Sequence, residues 1–143
     1  MLIAFSLLAP IMLGLQLLAP SSMATSIKVT VDIKPKTLNL NERQGLITVF
    51  IYDLPKPYTV NDINQTTVRI GNLNLERAWG QIEEGKMILK FDASAVIDYV
   101  WSQVYHVGEF QTEITLKVTG KMIDGTPFEG SDTITALTPK TNI

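Results

Sequence analysis

The chain has no cysteine, one histidine and no charged side chain before Lys28. Without cysteine, disulfides, zinc–thiolate sites, iron–sulfur clusters and thiol catalysis are excluded. Small secreted domains often rely on disulfides, so this one must be held by its apolar core alone. A lone His106 removes any site that needs two imidazoles. Lys and Arg total 12 against 14 Asp and Glu, and the near-neutral balance of −2 lacks the basic clustering that nucleic acid demands. What is abundant is apolar: 45% of the residues are hydrophobic, enough for a core in a 143-residue chain sized for one domain, or for a domain plus a targeting segment.

Residues 1–24 carry no charge, and Leu2 to Leu18 is broken only by Ser6, Pro10, Gly14 and Gln16. Three readings compete. A secretory signal peptide would use Ser22 and Ala24 as the small residues before a cleavage at Thr25, although no Lys or Arg forms a basic leading region. A retained anchor needs about 20 apolar residues, and Pro10 and Pro20 weaken such a helix. A retained filament-core helix is the third. Each places the remainder outside the cytoplasm, at the cell surface or free, with membrane contact only through residues 1–24.

Residues 25–138 read as one domain, followed by a tail at 139–143. The alternation of Ile27, Val29, Val31 and Ile33 with polar neighbours predicts a first strand that Pro35 stops. Leu38 to Leu40 predicts a short extended piece. Leu46 to Tyr52 is almost continuously apolar, which predicts a strand covered on both faces. Val60 to Gln65 predicts a loop or helical turn, Thr66 to Ile70 a strand, Leu75 to Trp79 an extended piece, Gln81 to Gly85 a connection and Lys86 to Phe91 a strand. Asp92 is a candidate N-cap for a helix to about Tyr105, with Val96, Ile97, Val100, Trp101 and Val104 on one face.

Phe110 to Thr119 alternates strictly, Asp124-Gly125 supports a tight turn, and a second β-rich run reaches Leu137, which together predict a hairpin. About seven strands, one short helix and no βαβ rhythm predict a mainly all-β fold: an antiparallel, immunoglobulin-like β-sandwich behind a hydrophobic N-terminal segment.

Several separated motifs add to this. Val31-Asp-Ile-Lys-Pro35, Leu38-Asn-Leu40, Tyr58-x-Val-Asn-Asp-Ile63, Thr67-Val-Arg69, Phe91-Asp92 and Thr119-Gly-Lys-x-x-Asp-Gly-Thr-Pro-Phe-Glu-Gly-Ser-Asp-Thr133 occur in order. Over residues 29–137 the chain resembles a β-sandwich module of secreted and surface proteins of archaea, especially methanogens and their relatives, and of some bacteria. The resemblance implies an extracellular, non-enzymatic module. It also implies a calcium-binding acidic loop before the central strand; here Gly80 to Gly85 has two adjacent carboxylates instead of alternating ones.

Candidate sites are few. Glu83 and Glu84 are adjacent, so on an extended chain they point apart and read as a solvated turn. Asp124, Glu129 and Asp132 are oxygen donors around the hairpin turn and weak calcium candidates; turn chemistry already accounts for Asp124. His106 beside Tyr105 lacks a nucleophile or second histidine, so the domain is read as no enzyme and as needing no cofactor. Trp79 and Trp101, with Tyr99 and Tyr105, are candidates for a sugar platform, although helical spacing also explains Trp101 as core. Asn64-Gln-Thr66 is a glycosylation sequon. The expectation is a secreted or surface protein acting in structure, adhesion or assembly with itself or other surface proteins. The alternatives are a carbohydrate-binding module or a filament subunit.

Overall fold

The computed structural model describes residues 25–74, 80–104 and 110–139. The N-terminal segment, Trp79, Tyr105, His106 and the tail from 140 lie outside them, as does the extended piece expected at 75–79. In chain order the described residues form β1 (Ile27–Lys28), β2 (Thr30–Lys34), β3 (Thr37–Asn39), β4 (Leu46–Tyr52), a 3-10 turn (Val60–Asp62), β5 (Ile63–Ile70) and β6 (Leu73–Asn74). There follow β7 (Gln81–Glu83), β8 (Lys86–Asp92), α1 (Ala93–Gln103), β9 (Phe110–Met122) and β10 (Pro127–Thr138).

These strands make the expected β-sandwich. One sheet has the order β2-β4-β8-β7 and is antiparallel throughout. The other runs β1-β10-β9-β5-β6 and is antiparallel except at its border, where β1 and β3 both pair with β10 in parallel. The predicted hairpin is its spine: β9 and β10 pair without interruption from Phe110↔Thr138 to Lys121↔Pro127. At the turn Gly125 takes φ +91, and Asp124 Oδ1 accepts from the Thr126 amide at 2.9 Å.

Between the sheets lies one apolar core. Ile33, Val49, Ile51, Val68, Ile70, Leu89, Val118 and Ala136 are fully buried, each from an alternating position of its strand. Helix α1 leaves β8 directly. Its Asp92 cap accepts from the Ser94 amide at 3.2 Å, and Val96, Ile97 and Val100 enter the core as the spacing predicted.

β5 already begins at Ile63, so the loop expected from Val60 to Gln65 ends at Asp62 and Asn64 lies in a strand. Three further expectations need correction. The first strand is two strands: after Lys28 the chain leaves β10, and from Thr30 it pairs with β4 in the other sheet. Gly130 makes this possible, since a Cβ there would stand 2.6 Å from the Val29 carbonyl oxygen and 2.6 Å from Val31 Cγ2. Second, Gln81 to Gly85 is more than a connection. It is β7 plus a two-residue turn, with Glu84 at φ +52 and Gly85 at φ +74, the paired positive angles that match the twist of a hairpin. Glutamate is a poor sign of such a turn, because its side chain disfavours that region. Third, Leu46 to Tyr52 is buried on one face only: Ile47, Val49 and Ile51 are in the core, whereas Phe50 and Tyr52 are half-buried and Leu46 is exposed.

Candidate functional site

The third correction locates the most distinctive surface of the domain. On the open face of the β2-β4-β8-β7 sheet, register aligns Asp32, Phe50, Ile88 and Gln81 in one row across all four strands. Phe50 and Ile88 are direct cross-strand neighbours, and both are half-buried. Tyr52 stands one position further along, with the Lys86 ammonium 4.6 Å from its ring centre. Leu46 lies at the other end and is 56% exposed. Around this apolar centre stand Lys34, Lys86, Lys90, Asp32 and Asp92, a mixed charged rim. An apolar centre with a polar rim is the anatomy of a protein–protein contact.

The opposite sheet differs. Its open face presents Arg69, Glu113, Thr115, Lys117, Thr119 and Lys121 from β5 and β9 and Ser131, Thr133 and Thr135 from β10. Thr115 and Thr133 share a hydroxyl hydrogen bond of 2.9 Å. The two outer faces therefore diverge in chemistry: one is hydroxylated and charged, the other carries aromatic and aliphatic side chains.

Each predicted site residue can now be placed. Asp124, Glu129 and Asp132 are not brought together. Asp124 is at the hairpin turn, accepting from the Thr126 amide at 2.9 Å and the Tyr58 hydroxyl at 2.7 Å, and these bonds, the amide's first, hold its carboxyl below the usual range. Glu129 and Asp132 are three apart on β10, an odd spacing that sends them to opposite faces. Glu129 pairs with Lys28 and with Lys117, the latter at 2.7 Å. It stands in an open groove of 600 Å³ beside Val29, Val31 and Gly130, with one lysine partner on each carboxylate oxygen.

Asp132 joins the two sheets. Its carboxylate accepts from the Ile33 amide of β2 at 2.7 Å and from the Thr133 amide at 2.9 Å, and it pairs with Lys36. Lys36 also holds Asp32 at 2.6 Å. Burial alone would raise the Asp132 pKa, but the bonds from Lys36 and Ile33 outweigh it, and the net shift is downward. Among the described residues no group of three His, Cys, Asp or Glu is placed to hold a metal ion.

Glu83 ends β7 opposite Lys86, and Glu84 occupies the turn. Trp101 packs edge-on against Phe110, ring centres 5.6 Å apart at 70°, and is partly buried against the core. Packing therefore covers part of its ring. Trp79, Tyr105 and His106 are outside the described residues. Asn64 projects from β5 on the polar sheet. The residues missed in the sequence are Phe50, Tyr52 and Ile88; the available signal was the apolar run of β4, broken only by Thr48, which reads equally as double burial.

Comparison with known proteins adds no assignment. No protein-family model matches this chain, and no curated protein matches it. Among the described residues no helix is long and apolar enough to cross a membrane.

Proposed function

We propose that the chain is a non-catalytic secreted or cell-surface β-sandwich protein that acts in extracellular structure, adhesion or protein–protein assembly, and that it engages its partner through the open face of the β2-β4-β8-β7 sheet. The observation that carries this reading is the cross-strand pair Phe50–Ile88, flanked by Tyr52 and Leu46 inside a charged rim. Burying what remains accessible of this half-buried apolar centre gains about 25 cal/mol per Å² removed from water, and the rim supplies orientation. The uncharged segment 1–24 and the motif resemblance support placement outside the cytoplasm.

The carbohydrate-binding alternative draws less support. A sugar ring needs a free aromatic face; Trp101 is packed on Phe110, and Lys86 sits over the Tyr52 ring.

Because the chain lacks cysteine, a single introduced thiol gives a clean test. Full chains carrying Ile88→Cys or Thr133→Cys, each labelled with a thiol-reactive photocrosslinker in intact cells, probe the two outer faces. Adducts from position 88, either to a second copy or to another surface protein, are expected, with few from position 133. Equal patterns from both positions, or none from position 88, would refute the assignment.

A further inference from the structure

We infer that Asn64 is an N-glycan acceptor, carrying its oligosaccharide on the polar sheet, on the side of the sandwich opposite Phe50 and Ile88. The inference rests on the extracytoplasmic reading above. Asn64-Gln65-Thr66 is the single Asn-x-Ser/Thr triplet in the chain, and a triplet alone says little. The fold adds three observations.

First, Asn64 faces outward. Ile63 is buried opposite Met122, and the next pair, Asn64↔Lys121, therefore points to the open face. Second, the triplet sits on a bulge. The ladder resumes only at Arg69↔Thr119, so residues 65–68 of β5 stand against Gly120 alone. That excess takes Gln65 and Thr66 out of register with β9, and Thr66 is exposed. The bulge is stably built: Thr67 Oγ1 donates to the Asn64 carbonyl at 2.7 Å and accepts from the Lys121 amide at 2.8 Å, restoring a bond the ladder lost. Gln65 Oε1 accepts from the Gly80 amide at 3.0 Å. Third, the Thr66 hydroxyl donates to Asn64 Oδ1 at 2.8 Å. The two groups that a transferase must read are thus held together on the outer face, Asn64 half-buried and Thr66 exposed.

The co-reactant is a polyisoprenyl phosphate- or pyrophosphate-linked oligosaccharide. The Asn64 carboxamide nitrogen attacks the anomeric carbon; a C–N bond forms, and the bond from that carbon to the phosphate oxygen breaks. Its electron pair leaves with the lipid phosphate, and the amide proton passes to a base on the transferase. A glycan at this place would hydrate the polar face and leave the apolar face free to dock.

The test uses full chain produced in a host that makes lipid-linked oligosaccharides. The tryptic peptide Gln44–Arg69 is weighed, and Lys117, whose side chain is 61% exposed, is labelled in intact cells with a membrane-impermeant amine reagent. The expected result is glycan mass on the peptide, lost in Asn64→Gln and Thr66→Val and kept in Thr66→Ser. Thr66 is exposed, so both of its variants should fold, and their melting curves check that. Labelled Lys117 with a bare Asn64 peptide overturns the glycan inference alone. Unlabelled Lys117 overturns the extracytoplasmic reading and the inference with it.

Discussion

Replacing Asp132 by Ala takes away the acceptor that ties the edge of one sheet to the other. Ile33, whose amide it receives, is fully buried, so that N–H would lose its partner where water does not readily reach. An orphaned donor of this kind costs about 1–3 kcal/mol. The pair with Lys36 adds less, because the lysine side chain is 45% exposed and such pairs contribute at most about 1 kcal/mol. The Asp132→Ala chain should therefore lose about 2–3 kcal/mol in urea unfolding with an unchanged denaturant slope. Asp132→Asn keeps an oxygen for the Ile33 amide and should lose under about 1 kcal/mol. Equal losses in the two variants would show that the charge, not the acceptor, holds the sheets, and would refute the reasoning.

Acid titration extends the same test. Asp132 has its folded pKa below the ordinary value of 3.8, so its contribution is complete above that pH and fades as pH falls through the folded value. Lys36 has its pKa raised above 10.5: burial opposes its charge, but the bonds to Asp132 and Asp32 outweigh that. Its contribution is complete below 10.5 and fades as pH rises through the folded value. Stability differences between wild type and Asp132→Asn should be flat between these limits and shrink below about pH 4.

Other substitutions probe the remaining claims. Gly130→Ala would drive a Cβ into the Val29 carbonyl and should cost about 2 kcal/mol or more by melting, whereas Gly125→Ala has open space and meets only its φ of +91, at about 1–2 kcal/mol. Asp92→Ala should remove about 1 kcal/mol by uncapping α1, seen as a lower urea midpoint. Ile51→Ala should cost about 2–5 kcal/mol and Phe50→Ser only about 1, a contrast that urea unfolding would lose if the strand were buried on both faces.

The hairpin was legible because strict alternation over Phe110 to Thr119 and a glycine at the turn are local signals, and the register follows from them. So was α1, where Asp92 and the spacing of Val96, Ile97 and Val100 agree. The turn at Glu84 was not, since neither residue type nor pattern advertises a positive φ at glutamate. The candidate face was hidden for a different reason. Leu46 to Tyr52 states only that both sides of a strand are apolar; whether a second layer covers the outer side depends on elements far away in sequence.

Composition and periodicity by themselves determined a cysteine-free β domain with one amphipathic helix, behind an uncharged hydrophobic segment. Those properties reside in neighbouring residues and their alternation. Tertiary structure alone decided that the chain changes sheets at Val29, that Asp132 binds an edge strand instead of helping to form a cation site, and that Phe50 and Ile88 meet on an open face. Each depends on the packing of strands distant in sequence, which a one-dimensional pattern constrains only through the number of apolar faces it offers.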